Sequence, residues 1–426
     1  MIVRGGTVVT ARGVEPADIR IQNGRITEVG PNLSAEAEEI DATRLHVFPG
    51  GIDSHVHFNE PGRTEWEDIA HGSAALAAGG YTSFIDMPLN SLPVTTTVQA
   101  FDLKLEAAIG SSVVDFGFWG GLVPGNLDQL AGLVERGVIG FKAFMCPSGI
   151  DEFPHCDAET LRQGMERIAE LDSIMLVHAE DPAKLSEPKG PTARDFIGSR
   201  PWEAEMSAIR DAIMLSRETG CRLHVVHVST VPGIAQIQDA QLRGVDVTGE
   251  TCPHYLLYAE EDLERLGAAG KCAPPFRSAG NRDDLLAMVA AGEVEMIVSG
   301  HSPSTLDLKQ GDDFTKIWGG ISSCQSTRQL LLARTTIELN VIAAVTATNI
   351  GRRFGLPRKG DIAPGFDADL WVVDLTQEDV VRREDLLYRN RFSAHEGQRI
   401  RGKTVRTLVR GNEPGRGEFI QARAAR

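Results

Sequence analysis

Aromatic residues are scarce in this chain, 6% of the sequence with only four tyrosines, although 42% of it is hydrophobic and 24% charged. That balance excludes fibrous and disordered classes and calls for a sizeable aliphatic core. No apolar run approaches the roughly 18 to 20 residues of a membrane-spanning helix. Residues 1–20 also lack an apolar segment followed by a cleavage site, so a cytoplasmic protein without a membrane partner is expected. The six cysteines, Cys146, Cys156, Cys221, Cys252, Cys272 and Cys324, contain no CxxC pair. Neither a disulfide framework nor a cysteine zinc site is indicated, and buried reduced thiols are expected. Basic charge is in deficit: 43 Lys and Arg stand against 59 Asp and Glu, a formal net charge of -16. With no basic block to neutralise phosphates, nucleic acid is disfavoured and a small-molecule partner is expected.

A length of 426 residues exceeds an ordinary single-core domain but suits one large barrel plus a smaller module. Residues 1–50 carry β-rich runs at 2–10, 18–29 and 46–49, broken by Gly, Asn and Asp. Strand-like segments return at 369–373 and 403–409, so the two ends are expected to complete one β-module. Between them, eight short strands are predicted at 52–58, 82–87, 113–120, 138–145, 174–179, 222–228, 245–250 and 295–299. Helical stretches alternate with them, including 65–78, 158–171, 201–219 and 234–243, and glycines at 79, 80 and 220 act as stops. This alternation predicts an α/β fold, a (β/α)8 barrel spanning 51–355, with a small β-sandwich module built from 1–50 and 356–426. No GxGxxG follows the first strand, which argues against a dinucleotide-binding sheet.

In such a barrel the chemistry sits at the C-terminal ends of the strands. The first predicted strand ends in His55-Val56-His57, whose i, i+2 spacing sends both imidazoles to one side. The fourth carries Lys142, the fifth ends at His178, and the sixth holds His224 and His227. Residues three apart on a strand face opposite sides, so only one of that last pair is expected inside, and His227 lies nearer the strand end. A single strand-end histidine is ordinarily a hydrogen-bonded structural residue, and a buried lysine is costly unless neutralised or paired. Five such residues at the mouths of suitably spaced strands are a far stronger pattern than any one alone.

His-x-His on the first strand, lysine on the fourth and histidines on the fifth and sixth resemble the binuclear-metal amidohydrolase superfamily. The resemblance covers nearly the whole chain, including the return into the β-module at 359–370. It implies two divalent metal ions, with zinc first among the candidates. His55 and His57 would hold one, His178 and His227 the other, and Lys142, as its N6-carboxylated form, would bridge them. It further implies hydrolysis of a cyclic C–N bond by water activated between the metals, and a homodimer or homotetramer.

Local motifs choose among the branches. Asn59 stands where dihydroorotases carry an arginine for the substrate carboxylate, and none of Tyr81, Tyr255, Tyr258 and Tyr388 follows Lys142 as the dihydropyrimidinase tyrosine does. Residues 59–67, 86–91 and 145–154 resemble the allantoinase branch. That implies opening of the hydantoin ring of allantoin to allantoate, with Asn90, Ser148 and Ser322 of the 319–323 loop as candidate substrate binders. The sequence departs from the superfamily at Gly300, where an aspartate is expected to serve as metal ligand and proton shuttle. Three readings stay open: an allantoinase weakened by substitution, a homologue using His301 or a water relay, and a non-catalytic metal-binding scaffold. A dihydropyrimidinase or hydantoinase-like activity is the alternative within the enzymatic readings.

Overall fold

The computed structural model describes residues 1–35 and 38–422. Its chain starts in a β-layer: β1 (Ile2–Thr10), β2 (Gly13–Gln22), β3 (Arg25–Gly30), β4 (Glu39–Asp41) and β5 (His46–Pro49). The run predicted at 18–29 is in fact two strands. Asn23 (φ 52°) and Gly24 (φ 74°) form a tight two-residue turn that suits the twist of a hairpin. From the other end, β15 (Leu370–Val380) pairs antiparallel with β5, and β16 (Arg399–Leu408) pairs with β15. Both termini therefore join one seven-stranded sheet, in the order β16-β15-β5-β1-β2-β3 with β4 on β1. Its apolar face buries Val3, Val8, Ile19, Ile26, Val372 and Leu408 in a core separate from that of the barrel.

The barrel staves are β6 (Gly51–Val56), β7 (Tyr81–Asp86), β8 (Asp115–Phe118), β9 (Gly120–Gly121), β10 (Phe141–Phe144), β11 (Ile174–His178), β12 (Arg222–Val225), β13 (Val247–Thr251) and β14 (Met296–Ile297). β8 and β9 flank Trp119 and act as two halves of the third stave. The pairing is parallel throughout, in the runs β6-β7-β8 and β9-β10-β11-β12-β13-β14. Closure comes where Val56 bridges His301 and the His57 amide donates to the His301 carbonyl at 2.8 Å. The strands are nearly all buried, as expected of a parallel sheet covered by helices.

The helices start where their caps dictate. α1 (Ile69–Ala78) begins four residues later than the sequence suggested. Asp68 is the N-cap, accepting from the His71 amide at 2.7 Å. α2 (Val98–Ala108) and α3 (Leu130–Arg136) follow. α4 (Ala158–Glu170) is capped by Asp157 and buries Leu161, Met165 and Ile168 at helical spacing. α5 (Ala193–Ser199) precedes α6 (Trp202–Thr219), which stops at Gly220 in the left-handed conformation, φ 71°. α7 (Val231–Leu242) and the short α8 (Pro253–Leu257) complete the elements around the site. No helix among the described residues is long and apolar enough to cross a membrane.

The segment after the barrel owes its charge pattern to one buried knot. Lys359 Nζ lies 2.5 Å from Asp115 at the start of β8, 2.8 Å from Asp369 and 3.1 Å from Asp367, and Arg410 also pairs with Asp115. A lysine and three carboxylates out of water are tolerable only because they satisfy each other. The knot ties the β-layer to the base of the barrel.

Candidate metal centre

His55, His57, Lys142, His178, His227 and Gly300 line one cleft of about 360 Å³ at the C-terminal mouth of the barrel. β6 delivers His55 at its end and His57 just beyond, with ring centres 5.6 Å apart. β10 delivers Lys142, whose ammonium lies 4.1 Å from the Phe144 ring centre. β11 delivers His178, which stacks on the Phe144 ring.

The sixth strand corrects one expectation. Strict alternation was to exclude His224 from the interior, but β12 ends at Val225 and His227 adopts φ 41°, which breaks the alternation. Both rings reach the interior. His227 enters the cleft, while His224 lies beneath it with Nε2 3.1 Å from Glu250 Oε2 and Nδ1 2.8 Å from Thr248 Oγ1.

Partners that can only accept a proton fix the histidine tautomers. His55 Nδ1 lies 2.5 Å from Glu250 Oε1, His57 Nδ1 2.5 Å from the Leu89 carbonyl, and His178 Nε2 2.7 Å from Glu180 Oε2. Each of those nitrogens must carry the hydrogen, so His55 Nε2, His57 Nε2 and His178 Nδ1 are left with lone pairs. His178 Nδ1 faces His227 Nε2 at 3.1 Å. Two imidazole nitrogens on one tetrahedral ion, at bonds of ~2.0–2.1 Å, would lie roughly 3.3 Å apart. The donor set therefore fits a metal.

The electrostatics agree. Burial lowers His57 and His227 well below the usual histidine range. Burial also brings His178 down to about 4 against the opposing pull of Glu180, so these imidazoles are neutral at physiological pH. Burial pushes the Glu250 carboxyl up, but His55 and His224 outweigh it and hold it at about 2. Glu180 stays ionised in the same way: Arg200, at 2.5 Å and 3.1 Å, and His178 overcome its burial and bring it to about 2. Lys142 is lowered to about 7 by burial, so much of it is free amine near neutrality.

Of the candidate substrate binders, Asn90 lines the cleft, and its side-chain amide has no hydrogen-bond partner among the described residues. Ser148 also lines it, but its hydroxyl donates to the Phe153 carbonyl at 2.6 Å and shapes its own turn. Ser322 is buried outside the cleft lining, where its carbonyl accepts from the Ser393 hydroxyl at 2.5 Å. Its neighbours Gly319, Gly320 and Ile321 line the cleft instead. Asn59 is buried and turned to the Pro303 carbonyl.

Gly300 sits on the cleft wall at φ 61°. A Cβ there would lie 2.7 Å from Cys252 Sγ and 3.3 Å from His254 Cε1. No Asp or Glu among the described residues lines the cleft, and Asp313 is spent on Thr315 and Lys316. His301 offers no replacement. Its Nδ1 accepts from the Ser323 amide at 3.1 Å, its Nε2 points toward Glu67 at 3.6 Å, and its ring lies outside the cleft lining. His254 does line the cleft, and its buried Nδ1 has no partner.

The sequence reading passed over three contributors. Glu250 is the penultimate residue of the seventh strand, and the strand-end rule applied to that strand would have found it. Glu180 follows His178 at i+2 and so shares its side. Arg200 comes from the loop before α6, and no local pattern marks it.

Residues 46–412 match the family model described as "Amidohydrolase family". The chain is 49% identical to an allantoinase of Rubrobacter xylanophilus, over 96% of this chain and 93% of that protein. It is 43% identical to an allantoinase of Deinococcus radiodurans, over 96% and 94%. Among solved structures, an L-hydantoinase (dihydropyrimidinase) from Arthrobacter aurescens superposes with a TM-score of 0.95 at 30% identity, covering 99% of both chains. On fold, cleft and sequence together, the chain belongs to the amidohydrolase family.

Proposed function

We propose that the chain is an allantoinase-type cyclic-amide hydrolase, which opens the hydantoin ring of allantoin to allantoate, and that Gly300 limits its rate. The observation that carries the chemistry is the tautomer pattern: three histidines with their N–H groups committed to acceptor-only partners and lone pairs left beside Lys142. The substrate assignment is supported by relatives named allantoinase at 36–49% identity along 96–99% of this chain.

In this reading His55 and His57 would hold one divalent ion and His178 and His227 the other. The free amine of Lys142 could take up CO2 with loss of a proton, its carbamate would then serve as a further ligand, and zinc would suit this donor set. When bound, the metal pair supplies Lewis acidity, lowering the pKa of a water and polarising the scissile carbonyl. The protein's part is orientation and proton control. Glu250 and the Leu89 carbonyl hold the His55 and His57 rings, Glu180 holds His178, and Arg200 holds Glu180. Asn90 offers an amide to the neutral, donor-rich ligand. Because no Asp or Glu among the described residues lines the cleft, the leaving nitrogen draws its proton through solvent, which costs about 10² to 10⁴ in rate against a positioned acid.

Gly300 is also the one observation that favours a second reading, a non-catalytic metal-binding scaffold. The retention of His55, His57, Lys142, His178 and His227 weighs against it. A cytoplasmic homodimer or homotetramer belongs to the same proposal. The test is ring opening by metal-reconstituted protein of allantoin, hydantoin, dihydrouracil and dihydroorotate. Allantoin turnover that stops on chelation supports the assignment; a preference for dihydrouracil or hydantoin moves the chain to the hydantoinase branch.

A further inference from the structure

Two buried lysines brace one wall of the cleft outside the metal centre: Lys271 is part of the lining and Lys309 stands behind it. Lys271 Nζ donates to the carbonyls of Phe314 at 2.8 Å, Thr315 at 2.9 Å and Ile317 at 2.5 Å. Lys309 Nζ donates to the carbonyls of Trp318 at 2.9 Å and Gly320 at 2.7 Å, and to Ala268 at 3.4 Å. Neither makes an ion pair with a carboxylate within 4.0 Å among the described residues, and Lys271 is flanked by the rings of Phe196 and Phe314.

An ammonium has three N–H donors, and burying it without a counter-ion is tolerable only when all three are satisfied. Here each lysine has three carbonyls, and five of the six belong to residues 314–320, the segment that forms the cleft wall from Thr315 to Ile321. The consequence falls on the amides. Those of Thr315, Lys316, Trp318 and Gly320 are paired with Asp313, Asp313, Leu308 and Lys271 respectively. The N–H groups of Ile317 and Gly319 have no protein partner among the described residues, and both residues line the cleft.

We propose that Lys271 and Lys309 are positioning residues for substrate recognition: they hold five carbonyls of the 314–320 loop and leave the Ile317 and Gly319 amides to bind substrate oxygen. The carbonyls of Lys316 and Gly319 are likewise without a protein partner among the described residues, so the loop offers both donors and acceptors to the ureide or amide groups of a ligand, with the two amides facing its carbonyl oxygens. The identity of that ligand rests on the allantoinase reading; the clamp itself does not.

The test compares parent, Lys309→Met and Lys271→Met at full metal loading. It combines allantoin kinetics with hydrogen–deuterium exchange of peptides covering 313–321. The clamp predicts KM raised tenfold or more with kcat within threefold, unchanged metal content, and loop exchange at least tenfold faster. Unchanged KM and unchanged exchange would overturn it, as would a parallel loss of kcat and metal, which marks a general folding role. Should either Met variant fail to fold, Lys309→Gln, which keeps two N–H donors, carries the same comparison with a smaller expected effect. A parent that opens no allantoin would sink the functional reading alone, since loop exchange still decides the clamp.

Discussion

Restoring a carboxylate at position 300 sets catalysis against stability, and both sides can be sized. Gly300 has φ 61°, a conformation that costs most L residues about 1–2 kcal/mol but that aspartate visits more readily. The new Cβ would meet Cys252 Sγ at 2.7 Å, an overpacking of about 1–3 kcal/mol unless the thiol moves. Gly300→Asp is therefore expected to lower the melting temperature, and Cys252→Ala added to it should recover part of the loss. Against that cost, a positioned acid/base in a cleft that no Asp or Glu among the described residues lines is worth about 10² to 10⁴ in rate. Allantoate formation by Gly300→Asp should rise at least a hundredfold over parent. Gly300→Asn, of similar shape but unable to move a proton, should stay near parent. A folded, fully metallated Gly300→Asp protein turning over within threefold of parent would refute the reasoning.

Three further outcomes follow from the same geometry. Glu180→Gln and Glu250→Gln leave His178 and His55 with a partner no longer restricted to accepting, so zinc affinity measured by competition with a chelating dye should fall about 10- to 100-fold. Lys142 must be neutral to take up CO2, and burial places its pKa at about 7. The neutral fraction rises with pH, so at fixed dissolved CO2, metal uptake by stripped protein should be roughly tenfold faster at pH 8 than at pH 6. Equal rates would mean that Lys142 carboxylation does not limit assembly. Lys359→Ala strands the carboxylates of Asp115, Asp367 and Asp369 in the interior and should cost about 3–5 kcal/mol in denaturant unfolding, without changing the spectrum of a bound cobalt ion.

How much of this could be read from the sequence depended on whether a residue's role was set by its own strand or by its neighbours. Strand and helix order, the His55 and His57 pair, and the positions of Lys142 and His178 follow from local periodicity and the strand-end rule. The alternation argument failed at His224 because a strand's period holds only while the strand lasts, and β12 ends two residues before His227. Ser322 was a candidate substrate binder as part of the 319–323 loop, but the chain pairs with His301 at Ile321 and carries Ser322 outside the cleft lining. His301 beside Gly300 invited a proton-transfer role, which its bond to the Ser323 amide and its turn toward Glu67 remove. Arg200 and Lys271 act through contacts 20 to 46 residues away, and Lys309 through backbone carbonyls of an irregular loop, for which a single sequence holds no pattern. Gly300 was legible as a departure from a resembled motif, and the structure adds that no Asp or Glu among the described residues replaces it on the cleft wall.

The most direct measurement uses protein at the concentration of substrate, so that slow chemistry still registers. Zinc- and bicarbonate-reconstituted parent is incubated with allantoin in 18O-water and the products are read by mass spectrometry. The account predicts allantoate carrying one 18O in its new carboxylate, formed faster than in chelator-treated or Lys142→Ala controls. Allantoin recovered intact from fully metallated protein, at the rate of the uncatalysed control, would contradict it.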